Sequence, residues 1–442
     1  GATPAELDTL AQEQTYEDIV EDLVNPERFE ELDEAYIDRY YSGEPVALHV
    51  GKWLYRMVNT RRPLEEKMAL FWHQVFATGV SKVDHYDDVM DMIVKFRQKG
   101  MGDFRVLLLE MAQDPAMIYW LDNCDNHASA VNENWGRELL ELFSLGVGNY
   151  TEVDVRECSR AFTGWTIQPK LPRQPFGRFP WRFDYRGEDH DTGEKTFLGH
   201  TGNFDGEDII DIIVKEPATA RFICRHLYNF FVADEVQVPA WTIEDARDED
   251  ALEVMINAFE ESGYEIKAVL RTMFNSDFFK NARYSKIKSP AEVVASTLKM
   301  VGTYQLPEPT IPDIGPESTY MGQSLLDPPS VEGWYTGQEW INSGSLLARI
   351  NFVADRVANT SLPGIQTIID RIKDDGVNTP EELVGASLEY MGFLEVGDVT
   401  MSQLLDHAKS EGNMNWSDES ASGTRVGEML ALVGATTEYQ FG

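Results

Sequence analysis

The sequence predicts a mainly α-helical protein: a compact multi-helix body, two long irregular loops rich in aromatic residues, and one small β-hairpin. Three observations predict it. Apolar residues recur at helical spacing through most of the 442 residues. Pro, Ser, Thr or Asp stands just ahead of many apolar runs, where helices start. Two stretches break the pattern with Pro, Gly and Trp.

In order, residues 4–41 read as short acidic helices, with Pro4 and Pro26 at their starts. Two apolar helices follow at 45–60 and 63–78. The second, PLEEKMALFWHQVFAT, places His73 among Phe71, Trp72, Val75 and Phe76, so it reads as a core or rim residue before it reads as a ligand. Segments 86–99 and 103–113 continue the pattern, and DPAMIYWLDN opens another helix with Pro115 at its first position. Helices resume at 206–214, 217–232, 249–262, 264–275 and 289–302. Those at 344–358, 364–373, 379–391, 400–410 and 422–436 finish the chain. The pattern describes one domain over 1–442, with a helical core at 45–165 and 203–302, an irregular insert at 166–202, a second irregular segment at 303–342 and C-terminal helices at 343–442. No fixed-period repeat, phosphate-binding loop, dinucleotide fingerprint or nucleophile elbow is present.

Residues 132–165, NENWGRELLELFSLGVGNYTEVDVRECSRAFTGW, carry charge in unexpected places. They read as two helices joined by a turn at Gly146 and Gly148, with Thr151 and Asp154 forming a capping box for the second. Stepping 100° per residue, the apolar arc of the first helix holds Leu145, Leu142, Trp135, Leu139, Phe143 and Leu140. Glu138 falls inside that arc. A Glu there snorkels at the core edge, pairs with a buried Arg, or belongs to a site. Arg160 and then Arg156 on the next helix are the natural partners. Glu133, Arg137 and Glu141 add an exposed ladder, and Glu157 completes the charged cluster. The cluster is either a structural clamp or a polar site.

The insert 166–202 is rich in Pro, Gly, Arg and aromatics. Alternation at 182–185 and 195–198 predicts a hairpin turning near 191–194. Glu188, Asp189, His190 and Asp191 stand in succession there, as a metal-ligand or acid/base group or as an acidic turn. Long irregular loops in compact proteins are commonly functional. The second loop centres on MGQSLLDPPSVEGWYTGQEW, where Pro328 and Pro329 force extended backbone. The two loops are expected to meet over the helix pair, bringing His190 and Asp191 toward Glu138 and Glu141.

The formal charge of −37 argues against nucleic acid or an anionic membrane as partner. It fits a secreted or salt-adapted protein and leaves a hard cation such as calcium open as a ligand. Cys124, Cys158 and Cys224 show no zinc or iron–sulfur spacing, so neither site is expected. No apolar run reaches the length of a membrane span, and no signal peptide is visible at GATPAEL.

The phrases GATPAELDTL, LEEKMALFWHQVFAT, DPAMIYWLDN, the long central phrase, HDTGEKTFLG, KSPAEVVAST and LLDPPSVEGWYTGQEW give the chain a resemblance, nearly end to end, to the bacterial family called domain of unknown function 1800. That resemblance implies an exported, extracytoplasmic protein whose native chain runs upstream of Gly1. It also implies a protein partner, since members are often encoded beside domain of unknown function 1501 proteins, which resemble alkaline phosphatases and sulfatases. It supplies no reaction. Many members read FWHxHF where this chain has Val75, so the second His of that pattern is absent.

Three functions fit. One is a partner or assembly subunit of an extracytoplasmic complex, with the Glu/Arg cluster as a clamp. One is a carboxylate- or metal-dependent hydrolase of a carbohydrate-like polymer, using Glu138, Glu141, His190 and Asp191. The last is a glycan-binding module with Trp165, Trp181, Trp334 and Trp340 as its platform.

Overall fold

The computed structural model describes residues 3–40, 46–83, 85–169, 171, 179–236 and 238–442, and among these the helix periodicity of the sequence becomes 22 α-helices. The first ten are α1 (Pro4–Glu13), α2 (Tyr16–Val24), α3 (Glu34–Tyr40), α4 (Val46–Asn59), α5 (Pro63–Val75), α6 (Tyr86–Lys99), α7 (Phe104–Ala112), α8 (Pro115–Trp120), α9 (Asn134–Glu141) and α10 (Glu152–Ala161). After the insert come α11 (Gly206–Ile213), α12 (Pro217–Phe231), α13 (Glu249–Glu261), α14 (Ile266–Asn275), α15 (Asp277–Lys280), α16 (Pro290–Val301) and α17 (Ile311–Tyr320). The chain closes with α18 (Ser343–Val357), α19 (Pro363–Asp374), α20 (Pro380–Tyr390), α21 (Asp398–Ser410) and α22 (Glu419–Gly434). Apolar residues from helices throughout the chain join one large core, beside which Ile37, Leu48, Tyr55 and Ile311 form a small second cluster.

The most enclosed of these helices is α5, buried on nearly every side, as an all-round apolar sequence requires. Trp72 stacks on Phe76 and Phe104 and donates its indole N–H to the Gly100 carbonyl, so its polar edge is satisfied inside the core. In the first turn Glu66 is 3% exposed. It accepts hydrogen bonds from Trp53 and Arg56 of α4 and from Arg97 of α6, tying three helices together. His73 lies in the same core, with Trp53, Phe96 and Trp334 around its ring. Burial pushes its pKa down to about 3, and neither ring nitrogen has a hydrogen-bond partner among the described residues.

Two expectations change. Segments 182–185 and 195–198 do not pair with each other. Strand β2 (Arg182–Tyr185) instead pairs antiparallel with β1 (Trp165–Gln168), while β3 (Lys195–Phe197) turns back on β4 (His200–Gly202). The tight turn is Leu198–Gly199, both with positive φ, which matches the twist of a two-residue hairpin. The second change is α17, a helix inside the segment read as irregular. Its Pro312 sits in the first turn, where no backbone N–H is needed, and Pro316 is carried within the helix. It packs on α4 closely enough that Gly51 has no room for a Cβ beside the Ile311 carbonyl.

The two loops take different supports. Trp181 of the insert stacks 4.0 Å from His85 and 4.7 Å from Tyr119 of α8. The Leu171 carbonyl, at the other root of the insert, accepts from both His85 and Trp181. Much of the stretch between them, residues 172–178, lies outside the described residues. The second loop lies on α5: Gln74 donates to the Trp334 carbonyl, and Trp334 donates to Ser324. Gly333 is required there, because at φ +89° a Cβ would stand 2.4 Å from the Gln74 carbonyl oxygen.

Candidate functional site

The helix pair α9–α10 forms as its sequence predicts. Thr151 and Asp154 make the reciprocal capping box, and Gly146 and Gly148 take positive φ at the stop. The helices touch at Gly136, where a Cβ would fall 2.1 Å from Ser159 Oγ. That contact sets the direction of every other side chain on α9. Glu138 lies two residues on, roughly 200° around the axis at 100° per residue, so it points away from α10.

Glu138 therefore does not meet Arg160, contrary to the clamp expectation. The Arg160 guanidinium is held by Asp191 at 2.7 Å, by Glu157 at 2.7 Å and by the Glu194 carbonyl. Arg156 is exposed. Arg137 turns to Glu152 at 2.7 Å, with Glu133 at 3.6 Å. Of the expected ladder the half-exposed Glu133–Arg137 rung forms, whereas Glu141 turns to the Tyr150 hydroxyl, and Glu138 is outside it.

Glu138 instead faces the second loop. Burial raises its pKa first and the charge of Glu141 next; Arg137 opposes them, and the charge of Glu332, the smallest effect, adds to the rise; the result is about 7. Glu141 accepts the Tyr150 hydroxyl at 3.0 Å. Beside this group of carboxyls, Leu142 and Glu332 line a cleft between α5, α12, the approach to α16 and the second loop. Its enclosed space is about 50 Å³, room for a small polar group or a water or two.

The polar wall of the cleft comes from residues the sequence reading passed over: His226 and Asn229 on α12, then Asp234, Lys286 and Gln323. His226 is 9% exposed, and its buried Nε2 has no hydrogen-bond partner among the described residues. Burial, and then the Arg225 charge, lowers its pKa to about 3, so the ring is neutral. Burial raises the Asp234 carboxyl above its usual range and lowers the Lys286 ammonium below its own. The available signal was a His on the apolar face of α12 and the lysines of YSKIKSP, too common in isolation to separate from packing. Val75, where the FWHxHF pattern has its second His, also lines this cleft.

His190 and Asp191 lie on the other side of the helix pair. His190 Nδ1 donates to the Thr163 carbonyl at 2.9 Å. The Arg160 guanidinium, with the Gly193 N–H, holds Asp191 down to about 2. Neither residue is among the charges that move Glu138, so the expected four-residue site is not assembled. The insert packs against α8, α10 and His85, while only the second loop brings a carboxylate to Glu138. The four tryptophans are buried, Trp340 at the edge of the cleft. Trp165, Trp181, Trp334 and Trp340 are 4%, 5%, 2% and 4% exposed, so they anchor loops and core and offer no open ring to a sugar.

All three cysteines are free and buried. Among the described residues, the His and carboxylate side chains close enough to share an ion are His407, Glu411 and Glu428, all exposed on the C-terminal helices and away from the cleft. Among the same residues, no helix is long and apolar enough to cross a membrane.

A family model described as "Protein of unknown function (DUF1800)" matches residues 1–441. Comparison with curated proteins and with solved structures finds no match to either. The chain belongs to the DUF1800 family.

Proposed function

We propose that this member of the family is an acid/base hydrolase of a carbohydrate-like polymer, working at the cleft beside α9. One observation supports the reading above the others: Glu138 sits half-buried near two carboxylates, forms no ion pair among the described residues, and has its pKa raised to about 7. A protonated carboxyl next to a negatively charged one is the division of labour that acid/base hydrolysis needs. Glu138 is the general acid, giving its proton to the leaving oxygen. Glu141, oriented by Tyr150, is the partner carboxylate, and Glu332 helps keep the Glu138 proton in place. The test is release of new reducing ends from a panel of polysaccharides. Activity is expected to fall as pH rises through about 7, and Glu138→Gln is expected to lower kcat by 10²-fold or more, about the usual contribution of a general acid. Undiminished turnover by Glu138→Gln would overturn the assignment.

A second reading, a subunit of an extracytoplasmic complex, is favoured by the outer surface around the second loop. Tyr320, Tyr335 and Leu347 are 67%, 57% and 59% exposed there. The partner would be a domain of unknown function 1501 protein, as the resemblance implies. Co-purification of the two from the native host, and its loss in Tyr335→Glu, tests it; fractionation of the same cells tests the location.

A further inference from the structure

The cleft beside α9 encloses only about 50 Å³, well short of the roughly 300–1,000 Å³ of sites that hold a small organic ligand. A polymer that reacts there has to be gripped somewhere else. A second, larger cleft lies next to the first, and Val238 lines both. It opens between the turn that follows α9 and one face of α12, with a volume of about 350 Å³.

Trp241 forms part of its wall. The indole lies 5.5 Å from the Phe222 ring, 4.6 Å from the Arg225 guanidinium and 4.7 Å from the His226 ring. Those three residues are spaced i, i+3 and i+4, so they share a single face of α12 and support the indole from one side. The indole N–H donates to the Val236 carbonyl at 2.8 Å, which fixes the ring and satisfies its polar edge. The ring stays part-exposed toward the cleft, whereas Trp165, Trp181, Trp334 and Trp340 are buried.

The turn contributes polar backbone. Gly146 is seated on Phe222, whose ring a Cβ would approach to 2.9 Å. The N–H and C=O groups of the exposed Val147 and Gly148 have no hydrogen-bond partner among the described residues. Asn149 gives its NH₂ to the Leu145 and Gly146 carbonyls and keeps its Oδ1 as an acceptor. The cations of the wall are already paired. Arg221 forks onto Glu249 at 2.8 and 2.7 Å, and Arg225 is taken up by Glu235 and by the Glu244 and Asp245 carbonyls.

A fixed aromatic plate beside free backbone donors and acceptors, without unpaired charge, matches a neutral sugar ring. The C–H face of a pyranose can lie on the indole while its hydroxyls bond the turn. An anion meets no unpaired cation here, and a flat apolar group would leave the backbone groups without partners. Resting on the acid/base reading of Glu138, we infer that the Trp241 cleft is a saccharide subsite, holding a neutral sugar residue of the polymer beside the reacting cleft.

Fluorine NMR of the full chain labelled with 5-fluorotryptophan tests this, because it reads the ten tryptophans one by one. The Trp241 resonance is assigned by its loss in Trp241→Phe, and the probes are cellohexaose, xylohexaose, mannohexaose and chitohexaose. At least one probe is expected to shift that resonance and to leave those of the buried Trp165 and Trp181 in place. Calorimetry with the same probe should show binding weakened at least about tenfold in Trp241→Ala and largely kept in Trp241→Phe. The shift is read on the native side chains, so it stands even where Trp241→Ala loses structure. No shift with any of the four probes, or binding unchanged in a folded Trp241→Ala, overturns the subsite. Glu138→Gln separates the two ideas, since it should bind the probe as the parent does while releasing no reducing ends. If it binds and still hydrolyses, the subsite stands and the acid/base assignment falls. If the parent hydrolyses a chain that never moves the Trp241 resonance, the subsite falls alone.

Discussion

Glu66 and Glu138 both sit on the apolar faces of helices, and the structure treats them in opposite ways. Glu66 receives four N–H donors from Trp53, Arg56 and Arg97, at distances between 2.6 and 3.2 Å. Glu138 receives no such ring of donors and is set against Glu141 and Glu332 instead. The difference is one of surroundings, not of residue type. A buried acid that is saturated by cations is a fastener. One left among its own kind, beside a cleft, holds a proton that can be given away.

The largest expected effect lies on the Glu66 side. Glu66→Ala removes the carboxylate that the buried Arg56 and Arg97 guanidiniums share and should cost about 3–5 kcal/mol, the usual result of breaking a buried pair from one side. Urea unfolding would show it, and a loss below about 1 kcal/mol would mean that water can reach Arg56 and Arg97.

Glu138→Gln should act in the other direction, and only above a certain pH. The folded-state pKa is raised from 4.5 to about 7, so the native protein binds this proton more tightly than the unfolded chain. The associated stability is complete below pH 4.5 and is lost as pH rises through about 7. The Gln variant cannot suffer that loss. It should match the parent at pH 4 and exceed it at pH 8 by about 1–2 kcal/mol, a figure reduced from the full shift because Glu138 is partly solvated. Asp88, also raised to about 7 by burial and its Asp neighbours, gives both proteins the same background slope, so the difference isolates Glu138. A variant that tracks its parent at every pH would show Glu138 to be ordinary.

The same comparison marks what the sequence could tell. Helix ends were legible because capping is local: Thr151 with Asp154, and Ser289 with Glu292, close boxes within one turn. The place of Glu138 in the apolar arc was legible too, since periodicity fixes which face a residue takes. Which neighbour lies across that face was not. The choice between Arg160 and Glu332 depends on Gly136 seating α9 against α10, and on Trp334 docking the second loop over His73. Both are contacts over long sequence separation. The helix at α17 was hidden for a different reason, because two prolines and a glycine remove the usual signal while packing on α4 supplies the stability. The cleft residues His226, Asp234 and Lys286 come from one helix and two loops, and no spacing rule connects them.

The smallest effect belongs to the Arg160–Asp191 pair, and it tests whether the two sides of the helix pair are independent. Arg160 holds the Asp191 carboxyl at about 2, below its ordinary 3.8, so the pair contributes above pH 4 and its contribution is lost as pH falls through 2. Both side chains are 19% exposed, and the contact lies at the surface of α10, so Asp191→Asn should cost no more than about 1 kcal/mol at pH 7 and nothing near pH 2. The Arg160 guanidinium keeps Glu157 and the Glu194 carbonyl, which is why the loss stays small. The stronger expectation concerns Glu138. Because Gly136 turns it to the far side of α9, its titration near pH 7, followed by carboxyl-carbon NMR, should not move in Asp191→Asn. In Glu332→Gln the same titration should shift downward, since one of the charges that raises it is gone. A shift in Asp191→Asn matching that in Glu332→Gln would mean that the insert and the cleft form one electrostatic unit, and His190 and Asp191 would then return to the site from which the geometry removes them.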